Sequence, residues 1–118
     1  MNYYVINKIF YAFCFLIFLI IIIGCQNNGK LIKSVKDGDY ENVKKLIKQG
    51  VNLNEKDDTG MTPLMIAVYN GNYEIAKLLI NNGADINAIN TINYMSVLNW
   101  ALNSKNIELM KLVYKLIH

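Results

Sequence analysis

Few residues in this chain have the chemistry for catalysis or metal binding. They are Cys14, Cys25, His118 and the carboxylates Glu55, Asp57 and Asp58. A catalytic thiol needs a base within hydrogen-bond reach. Both cysteines, however, lie in or at the end of an apolar N-terminal stretch, and the single histidine is the last residue. No Cys follows residue 25, so neither a nucleophile–base pair nor a Cys/His metal cluster is expected. Glu55, Asp57 and Asp58 read as turn residues, because Asp side chains favour turn geometry. Asn70-Gly71 and Asn82-Gly83 read as helix stops, since no glycine-rich phosphate loop surrounds them. No catalytic residue, cofactor or metal is expected, and the chain does not read as an enzyme. Two kinds of chemistry remain: modification of a thiol at Cys25, and binding through a surface.

Composition narrows the partners. A length of 118 residues allows one small domain. Apolar residues make up 53% of the chain, and much of that sits in the first 25 positions. There is no Arg, and the formal net charge is +3. Beyond Lys8 the charges read as mixed rather than clustered, which argues against nucleic acid as a partner. Nothing points to a small-molecule substrate. Two cysteines in an apolar segment do not make a disulfide framework.

The elements that would present a binding surface are organised around Asp57 to Asn90. Thr62 is placed to cap a helix with its side-chain oxygen, and Pro63 suits the first helical position, where no N–H is needed. Leu64, Ala67 and Val68 fall on one face of that helix, and Asn70-Gly71 ends it. Asn72 caps a second helix with an apolar face of Ile75, Leu78 and Leu79. Asn82-Gly83 stops it, and Ala84 to Ile89 leads away as an extended arm. Such a pair cannot bury its apolar faces alone and needs copies of itself alongside.

The copies are present. Leu31 and Leu64, Gly38 and Gly71, Leu46 and Leu79, Gly50 and Gly83, and Asn54 and Asn87 each stand 33 residues apart. In this first unit Gly29-Lys30 replaces the Thr-Pro start, and Asp39 caps the second helix. Its first helix is wet, with Lys30, Lys33 and Lys36, as a capping repeat with a polar outer face should be. In the third unit Ala101 and Ala67, and Leu112 and Leu78, are 34 apart. One residue has therefore been inserted between Asn90 and Tyr94. Tyr94 takes the place of Gly60, Ser96-Val97 that of Thr62-Pro63, and Lys105 that of Gly71. A left-handed Lys105 would cost about 1 kcal/mol. The last helix, Ile107 to Leu116, is expected to keep an apolar face of Ile107, Leu109, Met110, Leu112, Val113 and Leu116. It lacks a polar outer side, so it is either a poor cap or meets something. Trp100, where the middle unit has Ile66, reads as packing.

Gly60-Met61-Thr62-Pro63-Leu64, with Ala67, Gly71, Leu78-Leu79 and Gly83-Ala84-Asp85, resembles an ankyrin repeat. The family's usual His after Thr-Pro-Leu is Met65 here, so its hydrogen bonds to the neighbouring turns are missing. The resemblance implies an all-α repeat solenoid of about three stacked ankyrin helix-turn-helix units, near residues 30–57, 58–90 and 91–118, after the N-terminal apolar helix. It also implies a concave face, made by the turn tips and the exposed part of each first helix, that grips a protein partner. Carried onto this chain, that face is Asp58, Thr59, Met61, Tyr69 and Asn70, then Ile92, Asn93, Met95 and Asn103. Exposed Met and Tyr suit protein interfaces.

The N-terminus supplies an address. Ile9 to Gly24 carries no charge and spans about 24 Å as a helix, short for a bilayer and close to the apolar core of a secretory signal. It ends Ile22-Ile23-Gly24-Cys25, which resembles the lipobox of bacterial lipoproteins. That resemblance implies cleavage between Gly24 and Cys25 and a diacylglycerol thioether on Cys25. Residues 1–24 would then be the signal and 25–29 a short tether before a repeat domain of residues 30–118. Cys14 reads as a small apolar residue within the signal. Gln26 mildly suggests onward sorting from the inner membrane. The expectation is an exported, membrane-anchored lipoprotein on the periplasmic side or cell surface, binding, inhibiting or protecting a protein partner near the membrane. The alternatives are a structural role or a truncated remnant of a longer array held by an uncleaved single-pass helix, and, last, an enzyme with an unrecognised site.

Overall fold

The computed structural model describes residues 2–26 and 29–118, with the side chains of residues 23–26 outside the described set. Helix α1 spans Tyr3–Gln26, followed by α2 (Lys30–Lys36), α3 (Tyr40–Lys48), α4 (Pro63–Tyr69), α5 (Tyr73–Asn81), α6 (Val97–Asn103) and α7 (Ile107–Ile117). Among the described residues there is no strand, only an isolated antiparallel bridge between Ile89 and Ser96. The three helix pairs stack, with α2, α4 and α6 side by side in one layer and α3, α5 and α7 in a second.

Each helix starts where its side-chain chemistry allows. Asp39, Thr62, Asn72 and Asn106 accept from the N–H groups of Asn42, Met65, Ile75 and Leu109. Ser96 and Asn99 bond each other's backbone N–H reciprocally at the start of α6. Gly29, before α2, has no side chain to cap with. Instead its N–H donates to Glu55 Oε2 at 3.1 Å, so a carboxylate 26 residues away serves that helix end. The turn after each first helix needs a left-handed residue. Gly38 and Gly71 both take φ 69°, and Lys105 takes φ 56° in the third unit, keeping the same turn despite its side chain.

The core lies between the layers and between neighbouring units. Pro63 to Val68 are all buried, covered by α2 through Leu31, Ile32 and Val35 and by α6 through Val97 and Ala101. Ile75 and Leu79 of α5 are fully buried, and Leu78 partly. Each such Leu or Ile contributes about 1.5–3 kcal/mol on burial. The last helix differs from expectation. Only Leu109 and Val113 are buried, Met110 and Leu112 are half-buried, and Ile107 and Leu116 are exposed. The reason is geometric: α7 touches α5 and α6 on one side only, so residues on its far side have nothing to pack against. Helix α1 also runs further than its uncharged run, beginning at Tyr3 and continuing through Gly24-Cys25 to Gln26. Its described side chains, residues 2–22, are exposed.

Polar stitches fix the spacing of the units. Asn54 Oδ1 accepts from Asp85 N, Lys56 Nζ donates to Ile89 O, and Asn106 Nδ2 donates to Gly71 O. The turns are held by two side chains 33 residues apart. Asp57 Oδ1 accepts from Thr59 N, the Thr59 hydroxyl and Met61 N, while Oδ2 pairs with Lys36 Nζ at 3.0 Å. Asn90 Oδ1 accepts from Ile92 N and Asn93 N, and its Nδ2 donates to Thr59 O at 2.9 Å. These bonds secure the turns where the family's histidine is absent. Met65, in its place, is fully buried. The one-residue insertion sits where expected. The turn closed by Asp57 N to Met61 O is one residue longer when closed by Asn90 N to Met95 O.

Burial alone would raise the Asp57 carboxyl's pKa, but the Thr59 hydroxyl, Lys36 and the N–H groups of Met61 and Thr59 outweigh it and lower it from 3.8 to about 2. A depressed folded-state pKa stabilises above 3.8, and that stability is lost as pH falls towards 2. Acid unfolding should therefore remove about 2 kcal/mol between pH 5 and pH 2 through this group. Urea titrations of the parent and Asp57→Asn across that range check it: the variant should lack this component. Lys105→Gly should relieve backbone strain and stabilise by about 1 kcal/mol, raising Tm by about 4–8 °C; an unchanged or lower Tm would contradict the left-handed assignment.

Candidate functional site

The exposed flank of the stack is built from two turn tips and the free parts of α4 and α6. Asn90 brings the tips together, since its amide spans from one turn to the carbonyl of Thr59 in the other. Of the residues expected to bind, Asp58, Thr59, Ile92 and Asn93 are exposed on these tips, and Met61 and Met95 are half-buried beside them. Tyr69 and Asn70 are exposed at the end of α4, and Asn103 at the end of α6.

These residues differ in what they offer. The Thr59 hydroxyl is already committed to Asp57, and Asn93 Oδ1 accepts from Met95 N. They shape the tips more than they reach outward. Ile92, at 63% exposure, and Tyr69, at 58%, are large apolar side chains facing water. The Tyr69 ring meets the Trp100 ring edge-to-face, with centroids 5.3 Å apart and planes at 90°. Such a pair contributes about 0.5–1.5 kcal/mol beyond its buried area and holds both rings in one orientation. Trp100 is half-buried against the core, and its Nε1 is buried with no acceptor among the described residues. It packs, as expected, and it also positions Tyr69.

Two features escaped the sequence. Tyr94, with φ 58°, projects its side chain almost wholly into solvent. Beside it a shallow groove of about 680 Å³ runs along the arms, bordered by Lys56, Asp85, Ile89, Asn90, Thr91 and Tyr94. None of the residues expected to bind lines this groove. The signal that could have found it is the inserted residue, which lengthens the third turn and pushes Tyr94 outward. The carboxylates have structural duties: Glu55 serves the start of α2, and Asp57 holds its turn. Cys25 and Gly24 lie in the part of α1 whose side chains are outside the described set, and residues 27 and 28 of the expected tether lie outside the described residues.

A family model of ankyrin repeats, in three copies, matches residues 15–90 and 31–117. No curated protein matches the chain. Ankyrin repeats imply protein–protein interaction and are typically non-catalytic. With helix pairs stacked in two layers, left-handed residues closing the turns and the match spanning all three units, the chain belongs to the ankyrin repeat family.

Proposed function

We propose that this chain holds a protein partner close to a membrane, gripping it with the turn tips and first-helix ends of its second and third repeats. The observation that carries this reading is the set of large apolar side chains left in water on that flank: Ile92, Tyr94 and Tyr69, the last fixed by Trp100. Preorganised aromatic anchors lower the ordering cost of binding, which suits a contact hot spot. Asp58, Thr59, Met61, Asn70, Asn93, Met95 and Asn103 complete the face as its polar and half-buried surround.

Helix α1 supports the membrane part. Tyr3–Ile22 is long and apolar enough to cross a bilayer, although a signal sequence passes the same test. Ile22-Ile23-Gly24-Cys25 favours the second use, with cleavage before Cys25 and lipid on its thiol. Each buried CH2 of that lipid adds about 0.8 kcal/mol of membrane affinity. The protein would then act as an exported lipoprotein that binds, inhibits or protects its partner. The exposed outer side of α6 and α7, with Leu102, Ile107 and Tyr114, favours a second reading, in which the stack is a structural element held through that end.

Metabolic labelling with a fatty acid tests the anchor. Label should be incorporated by the parent and lost in Cys25→Ser, and label retained by the variant ends the lipoprotein reading. Affinity purification from membranes tests the face. Tyr69→Ala combined with Ile92→Asp should lower recovery of a co-purifying protein at least about tenfold with the circular dichroism unchanged, and equal recovery would assign binding elsewhere.

A further inference from the structure

The lysines are densest in the first repeat. Residues 30–50 hold six lysines against three acids, a surplus equal to the whole chain's +3. Elsewhere the charges sum to zero but unevenly: residues 58–90 hold Lys77 against Asp58, Glu74 and Asp85, and residues 91–118 hold Lys105, Lys111 and Lys115 against Glu108. The mixed charge expected from the sequence thus resolves into local surpluses, the largest at residues 30–50. Within it, Lys36 is engaged by Asp57. Among the described residues Lys33, Lys44, Lys45 and Lys48 have no carboxylate within ion-pairing distance. Lys33 and Lys45 border a shallow depression of about 370 Å³ between α2 and α3, with Asn42 and Gln49 beside them. Asp37 and Asp39 also border it, and Asp39 is occupied in capping α3. Every residue lining it belongs to the first repeat.

This end is also the one joined to α1. Gln26 and Lys30 are four residues apart, which limits their separation to about 14 Å. Whether α1 stays in a bilayer or gives way to a lipid on Cys25, the first repeat is confined within about two Debye lengths of the headgroups. We infer that the first repeat docks on an anionic lipid surface, with Lys33, Lys44, Lys45 and Lys48 against headgroup phosphates, and so sets how the stack stands on the membrane. This rests on the membrane reading above. The six lysines of the first repeat lie next to the membrane attachment, whereas the surplus of two in the third repeat lies at the far end of the stack. Lysines close to an anionic surface add together and are screened by salt.

The test uses the full-length chain in phosphatidylcholine vesicles, with or without about 30% phosphatidylglycerol, read by amide hydrogen exchange and by flotation. Exchange over residues 30–49 should slow at least about threefold on the anionic vesicles, with residues 97–117 unchanged, and the difference should vanish in about 0.5 M salt. Lys33→Glu/Lys45→Glu/Lys48→Glu should still float and lose the slowing. A chain that floats with both vesicle types but exchanges equally on them overturns the docking and leaves the tether standing. A chain that floats with neither overturns the tether and the docking together. Slowing by heparin but not by anionic vesicles also overturns the docking, and assigns the lysines to a polyanionic macromolecule.

Discussion

The structure depends on covering α4 from both sides. Six of its seven residues are buried, and a helix that short has almost no stability of its own in water. Helix α2 lies on one flank and α6 on the other, so each flanking repeat owes its packing to the middle one, and the middle one to both. The third repeat matters for this reason despite its poor match to the family pattern. Ser96 and Asn99 start its first helix and Val97 and Ala101 close over α4, which is the part of the pattern that packing requires.

Polar side chains then set the register that apolar burial leaves loose. Asp57 and Asn90 do the same work one repeat apart, each accepting backbone N–H groups of its own turn. They differ in how they reach back to earlier residues. Asp57 uses charge, pairing with Lys36, whereas Asn90 uses its amide on the Thr59 carbonyl. The second solution needs no counter-ion. The space around Gly60 shows how tightly the turns nest: a Cβ there would stand 2.8 Å from Asn90 Oδ1 and 2.9 Å from Thr91 Oγ1, at φ 76°. Tyr94 occupies the equivalent place in the third repeat with its side chain in open solvent, so a bulky residue is sterically tolerated there.

Much of this was legible in the sequence. Thr62-Pro63, Asp39, Asn72 and Ser96 announce helix starts because capping is local chemistry, and the 33-residue spacing announces copies because stacking demands them. The insertion before Tyr94 was readable from the shift to 34. Contacts between unlike positions were not. Tyr69 and Trp100 meet across repeats at a spacing of 31, which no repeat alignment pairs. Glu55 serves a helix 26 residues earlier because Gly29 has no side chain to do it. The apolar pattern of α7 promised a buried face, but a pattern cannot say whether a neighbour exists to cover it. Of the proposed binding face, the sequence located the tips and Tyr69 but could not show which side chains were already committed to their own turns.

Tyr94 and Lys105 have a further consequence. Both take left-handed backbone without being glycine, and both fall in the third repeat, which has neighbours on one side only. Strain and missing contacts thus coincide at one end, so thermal fraying should be polarised, with α6 and α7 peeling off first and the unzipping running back towards α2. A partner seated across the second and third repeats would act as a clasp, resisting that peeling and lending the free end the mechanical strength that its own residues lack.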